Sequence, residues 1–140
     1  MRIYLDKAFS VNRIAQEVMD PLTIFLLAYH EKELMGYAKL QGGRPPRCVP
    51  DDHAIEFSRL YIRSRDIGKG FGSQLIQACV DEACRRGYKT AWLGVWEKNV
   101  RAHRLYERLG FVNVGNKTFV VGTDVQQDVV YARSIENTRS

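Results

Sequence analysis

Apolar and polar positions change period several times along the chain, and each change predicts an element. In the first twenty residues Val11, Ile14 and Val18 recur at helical spacing and Pro21 closes the run, which predicts one short N-terminal helix. Thr23 to Tyr29 and Leu34 to Leu40 are two β-rich runs parted by His30-Glu31-Lys32-Glu33, a polar break that suits a hairpin loop between antiparallel strands. From Gln41 to Asp52 the backbone breakers Gly42, Gly43, Pro45, Pro46 and Pro50 crowd together, so this stretch reads as a loop and as the most mobile segment.

Ala54 to Ile62 returns to strand character, but its alternation fails after Phe57. Ile55 and Phe57 share one parity while Leu60 and Ile62 need the other, so one extra residue, a β-bulge, is expected near Ser58 or Arg59. Gly68, Gly70 and Gly72 follow. Then Leu75, Ile76, Cys79, Val80 and Ala83 fall on one face of a helix that stops at Gly87. Thr90 to Glu97 contains the near-continuous apolar run Ala91 to Trp96, which suits a strand buried on both faces. Asn99 stands at an N-cap position, Ala102, Leu105, Tyr106 and Leu109 form the next helical stripe, and Gly110 supplies the stop. Phe119 to Val121 and Asp128 to Arg133 read as two final strands. The order strand, loop, helix, strand, helix, strand in the second half implies a parallel pair joined by a right-handed crossover, next to an antiparallel first half.

With 140 residues, 45% hydrophobic and 26% charged, the chain has the size and make-up of one globular domain over residues 1–140. No apolar run approaches the ~20 residues needed to cross a bilayer, and Leu22 to Tyr29 lacks a signal-sequence cleavage site, so a cytoplasmic location is expected and no membrane partner. Cys48, Cys79 and Cys84 are odd in number and show no CxxC; His30, His53 and His103 are scattered. Neither a disulfide framework nor a metal site is expected. The net charge of +5 favours an anionic partner, with phosphate the general candidate. There is no helix-turn-helix pattern and no dense basic stripe, so nucleic acid is not expected.

The run from Arg65 to Gly72 lies between a strand and a helix start, where unpaired N–H groups and the positive end of the helix dipole attract phosphate. A plain strand-to-helix connection would look the same. The loop fits neither GxxxxGK[ST] nor GxGxxG with its distant acid. Arg65-x-x-Gly68-x-Gly70 does match the signature of the GCN5-related N-acetyltransferases (GNAT), preceded here by Arg59-Leu60-Tyr61-Ile62. Trp92 to Asn99, Arg101-Ala102 and the run Leu105 to Phe111 resemble the strand and the N-x-x-A-x-x-x-Y-x-x-x-G-F helix that follow in that family. WLGVWEKN, the pair Gly36-Tyr37 and the ending Val121-Gly122-Thr123-Asp124-x-x-Gln127-Asp128 are similar to the bacterial PaiA-type polyamine acetyltransferases. Such proteins carry about one further helical segment ahead of the position of Met1, a segment that helps wall the acceptor cleft.

The resemblance implies an α/β (α+β) domain with the GNAT fold: a mixed, mostly antiparallel twisted sheet, a central parallel strand pair splayed by a β-bulge, and helices on both faces. It implies an acyltransferase that moves the acetyl group of acetyl-CoA, as co-substrate and without a metal, to a primary amine such as spermidine or another small amine. The pantetheine arm would pair with Leu60, Tyr61 and Ile62. The pyrophosphate would fall on Arg65, Ile67, Gly68, Lys69, Gly70, Phe71, Gly72 and Ser73, and Asn99 would touch the arm.

Tyr106 is assigned as general acid, since a phenol at ~10 stays protonated beside an alkyl thiol at ~8.5; a core aromatic is the plainer reading of the same residue. Glu56 is the candidate base for an ammonium near 10.4, with a surface carboxylate as its plainer reading. Lys98, Arg101, Arg104 and Arg108 read as a solvated helix face. The alternatives are a protein N-terminal or lysine acetyltransferase acting on a peptide amine, and a non-catalytic acyl-CoA-binding regulator. Trp92, Trp96 and the last strands leave a homodimer open.

Overall fold

The computed structural model describes residues 4–6, 20–49, 51–66, 68 and 70–135. Seven strands form one sheet: β1 (Tyr4–Asp6), β2 (Thr23–His30), β3 (Glu33–Gly42), β4 (Ala54–Ile62), β5 (Thr90–Trp96), β6 (Val112–Val121) and β7 (Asp124–Ser134), in spatial order β1-β2-β3-β4-β5-β7-β6. Among the described residues two α-helices accompany them, α1 (Phe71–Arg85) between β4 and β5 and α2 (Val100–Arg108) between β5 and β6. β4 and β5 run parallel and every other neighbouring pair is antiparallel, so the sheet is mixed as expected. Tyr4–Asp6 pair with Tyr29, Ala28 and Leu27, so the helix expected in the first twenty residues does not include them; its Val11–Val18 stripe lies outside the described residues.

The β2–β3 hairpin turns on Glu31 and Lys32, both at positive φ (51° and 67°), the two-residue geometry that matches strand twist. Ile24 to Ala28 are buried throughout, which makes β2 a two-sided strand. Across β3 and β4, Lys39 faces Arg59 while Leu40 faces Phe57, so Ser58 is the extra residue and the bulge stands where the failure of alternation puts it. Ser58 Oγ donates to the Lys39 carbonyl at 3.1 Å, tying the unpaired residue down.

β6 begins seven residues earlier than the sequence pattern suggests, and β7 four earlier. β6 is an edge strand carrying Asn113, Asn116, Lys117 and Thr118; backbone pairing to β7 defines it, and no apolar alternation marks it. β5 is buried on both faces only as far as Leu93, after which Gly94 and Trp96 are exposed.

Two apolar clusters lie on opposite sides of the sheet. One gathers Ile24, Leu26, Leu40, Ile55, Phe57, Leu93 and Tyr131 under the α1 residues Leu75, Ile76, Cys79, Val80 and Ala83, with Ala102, Leu105, Tyr106 and Leu109 of α2 packed against it. Both described helices therefore share this face. The other cluster joins Ala54, Trp92, Val130 and Ala132 to Val49 and Cys48. Val49 is 5% exposed, so the Pro- and Gly-rich loop, read from sequence as the mobile segment, is pinned at its middle.

Gly36 sits opposite Ile62, and a Cβ there would collide with the Tyr61 carbonyl and crowd Ile62. Gly36→Ala is therefore expected to lower stability by about 1–3 kcal/mol, the usual cost of overpacking, read as a lower midpoint in urea with an unchanged slope.

Candidate active site

β4 pairs with β5 at only three positions, Ala54 with Thr90, Ile55 with Ala91 and Glu56 with Trp92. Past them β4 bulges and leaves β5, while β5 stays on β7 as far as Trp96. The β4 edge from Ser58 to Ile62 thus has no strand beside it on that side. Beneath it opens a cavity of about 840 Å³, lined by Leu60, Tyr61 and Ile62 of β4, Gly68 and Gly70 of the loop, the first turns of α1, and α2 from Asn99 to Arg108.

The α1 N-terminus has no side-chain cap. Gly70, its N-cap, lies at φ 85° and ψ 0°, and Gly68 lies at φ 87°. The first helical bond runs from the Gln74 N–H to the Gly70 carbonyl at 3.2 Å, so the amides before it have no partner within the helix. A Cβ at Gly68, Gly70 or Gly72 would meet nothing within 4 Å. Backbone conformation, and open approach to the amides, explain the glycines at 68 and 70 better than crowding does.

Gly68, Gly70, Gly72, Ser73, Leu60, Tyr61, Ile62, Asn99 and Tyr106 all line the cavity, so the structure brings together most of the residues the sequence singled out. Three stand apart. Phe71 is buried at 1% exposure in the core under α1. Arg65 is turned to Glu33, with Nη2 3.1 Å from both carboxylate oxygens, and does not line the cavity. Glu56 lies on the opposite sheet face beside Trp92, at the last paired position before the gap. Ile67 and Lys69 lie outside the described residues.

Asn99 is the N-cap of α2, its Oδ1 accepting from the Ala102 N–H at 3.2 Å. Tyr106 is half-buried two turns further on, its ring held edge-on by Phe111 at 5.7 Å between centroids. Burial, with the Cys79 thiol close by, pushes its phenol up to about 12. Burial also raises the Glu56 carboxyl above the usual carboxylate range, opposed by Lys117 and Lys39. Asp128 is likewise raised by burial against Lys117. It faces Trp96 across β5, with its carboxylate over Gly94 on the same sheet face as Glu56.

Arg101, Arg104 and Arg108 line the cavity as well as facing solvent. Their spacing of three and four residues was the only sequence signal, and it marks a solvated face equally well. Among the described residues no three His, Cys, Asp or Glu side chains gather as a metal site, and no helix is long and apolar enough to cross a membrane.

A mixed sheet opened between two parallel strands above an uncapped helix start is the architecture of N-acetyltransferases. Known proteins agree. The model of the Acetyltransferase (GNAT) family matches residues 2–111. An uncharacterised N-acetyltransferase of Mycobacterium tuberculosis is 33% identical over 132 residues, 94% of this chain and 80% of the relative. An N-acetyltransferase of Staphylococcus aureus superposes with a TM-score of 0.73 at 22% identity, over 94% of this chain and 80% of its own. The PaiA N-acetyltransferase of Thermoplasma acidophilum, solved with coenzyme A, gives 0.65 at 19%, over 89% and 68%; that likeness is one of fold. The chain belongs to the GNAT family and is an acetyltransferase.

Gly70→Ala places a side chain at φ 85°, a cost of about 1 kcal/mol. It is expected to lower the melting temperature by a few degrees and to reduce the further stabilisation given by coenzyme A, both readable in one thermal-shift titration.

Proposed function

We propose that this chain transfers the acetyl group of acetyl-CoA to a primary amine by direct attack, with Tyr106 as general acid and Glu56 as general base. The observation that carries the reading is that the unpaired β4 edge, the uncapped α1 start and Tyr106 all face the same cavity. An extended pantetheine arm is a natural partner for strand groups at Leu60, Tyr61 and Ile62 that have lost their β5 neighbour. The loop amides around Gly68 and Gly70, with Ser73 at the helix start, would take the pyrophosphate, and Asn99 would border the arm. Arg101, Arg104 and Arg108 add positive charge along the opposite wall.

Tyr106 and Glu56 lie on opposite faces of the sheet, so the thioester approaches from the helix face and the amine from the other, meeting in the gap between β4 and β5. Glu56 takes the proton of the incoming ammonium, directly or through water. Tyr106 gives its proton to the departing thiolate and recovers one from solvent. A phenol at about 12 stays protonated across the working pH range, and the burial that raises it also raises the proton affinity of a thiolate in the same cavity. The acceptor in this reading is a polyamine such as spermidine or another small amine. Glu56 and Asp128, half-buried on the acceptor face, favour a cation there. Turnover with spermidine well above that with lysine or N-terminal peptides would support it; the reverse preference would replace it with a protein acceptor.

Tyr106→Phe is expected to lower kcat about a hundredfold at saturating acetyl-CoA, and an unchanged rate would remove the phenol from the chemistry. Glu56 acts deprotonated, so kcat/KM should rise with pH through a midpoint above the ordinary ~4.3 of a glutamate. Glu56→Gln should abolish that acid limb, and a superimposable profile would discard Glu56 as base.

A further inference from the structure

Three side chains that line no part of the cavity tie α2 to the sheet. His103 Nδ1 lies 2.7 Å from the hydroxyl of Tyr131, and its Nε2 lies 3.0 and 3.1 Å from the carbonyl oxygens of Trp96 and Glu97 at the end of β5. The Tyr131 hydroxyl in turn donates to Glu107 Oε2 at 3.0 Å. Tyr131, on β7, is 2% exposed, while Glu107 is exposed. The chain therefore runs from the end of one strand, through a helix and a second strand, back to the same helix one turn later.

Counting protons gives this network a direction. Carbonyl oxygens only accept, so Nε2 must carry hydrogen. An ionised Glu107 only accepts, so the single phenolic proton of Tyr131 is committed to it. What Tyr131 then turns toward Nδ1 is a lone pair, and Nδ1 must also carry hydrogen. All the contacts are made together only by the imidazolium. With neutral His103, Nδ1 and the carboxylate compete for one proton and one bond is lost.

We propose that His103 is a positioning residue which, as imidazolium, clamps α2 through Tyr131 and Glu107 against β5 and β7, and so fixes Tyr106 and Asn99 over the cleft. The proposal rests on the reading of the cavity given above. Tyr106 is three residues beyond His103 and Asn99 four before it, so a shift of α2 moves both. Among the described residues the charged or titratable partners of the ring are Tyr131 from β7 and Glu107 from α2, and β5 presents only carbonyls. The clamp is complete only while both ring nitrogens of His103 carry hydrogen.

The test is amide hydrogen exchange in α2 with α1 as internal reference, together with the ¹³Cε1 titration of His103 by NMR, in the wild type, Tyr131→Phe and Glu107→Gln. Tyr131→Phe should lower α2 protection about tenfold relative to α1, as loss of a charge-assisted hydrogen bond does, and raise KM for acetyl-CoA while leaving that for the amine in place. Both variants should move the His103 titration to lower pH. Glu107 is exposed, so Glu107→Gln serves if the buried substitution does not fold. Protection falling equally in both helices, or a titration that does not move, would overturn the clamp. Exchange and titration need no turnover, so they decide the clamp even if the wild type proves to transfer no acetyl group.

Discussion

Everything at the cleft depends on a ladder that stops. Parallel β4 and β5 share only the pairs at Ala54, Ile55 and Glu56 before Ser58 adds its extra residue and the two strands part. Backbone polar groups left without partners inside a fold are costly, and a sheet that forfeits them must find another partner for them or open them to solvent. Here the opening sits over the start of α1, whose own amides have no helical partner. Two deficits of hydrogen bonding, one on a strand edge and one at a helix end, face the same 840 Å³ space.

Sheet parity then separates the two faces of β4. Along β4 before the bulge, Ile55 and Phe57 face the helices while Glu56 faces away. The bulge restores Leu60 and Ile62 to the helix side, where they line the cavity. Without the extra residue, Leu60 and Ile62 would point with Glu56, and the helix face would lose its apolar wall. The same residue that opens the cleft thus keeps its lining apolar.

Much of this was legible in the sequence. The parity failure after Phe57 located the bulge, the α1 stripe was read correctly from Leu75 to Ala83 but without Phe71, and Asn99 and Gly110 marked both ends of α2. What escaped was whatever lacks a periodic signal. β6 has a polar middle from Gly115 to Thr118 and is held by backbone ladders, and β1 is three residues long. The arginines of α2 have one spacing whether they face a cleft or bulk water. The Tyr131 partner of His103 comes from β7, 28 residues further along the chain, and no local pattern announces it. The burial of Val49 depends on Trp92, which the loop meets only in three dimensions.

Glu33 follows directly on the tight turn at Glu31 and Lys32, and it grips both Arg63 and Arg65 where the chain leaves β4. The first hairpin is thus an outrigger for the exit of β4, bracing it from beyond the sheet. Because Glu33 and Arg65 of the brace are exposed charges, it is the part of the cleft's scaffolding most open to ionic strength. Salt would slacken this mooring before it disturbed the apolar packing beneath α1.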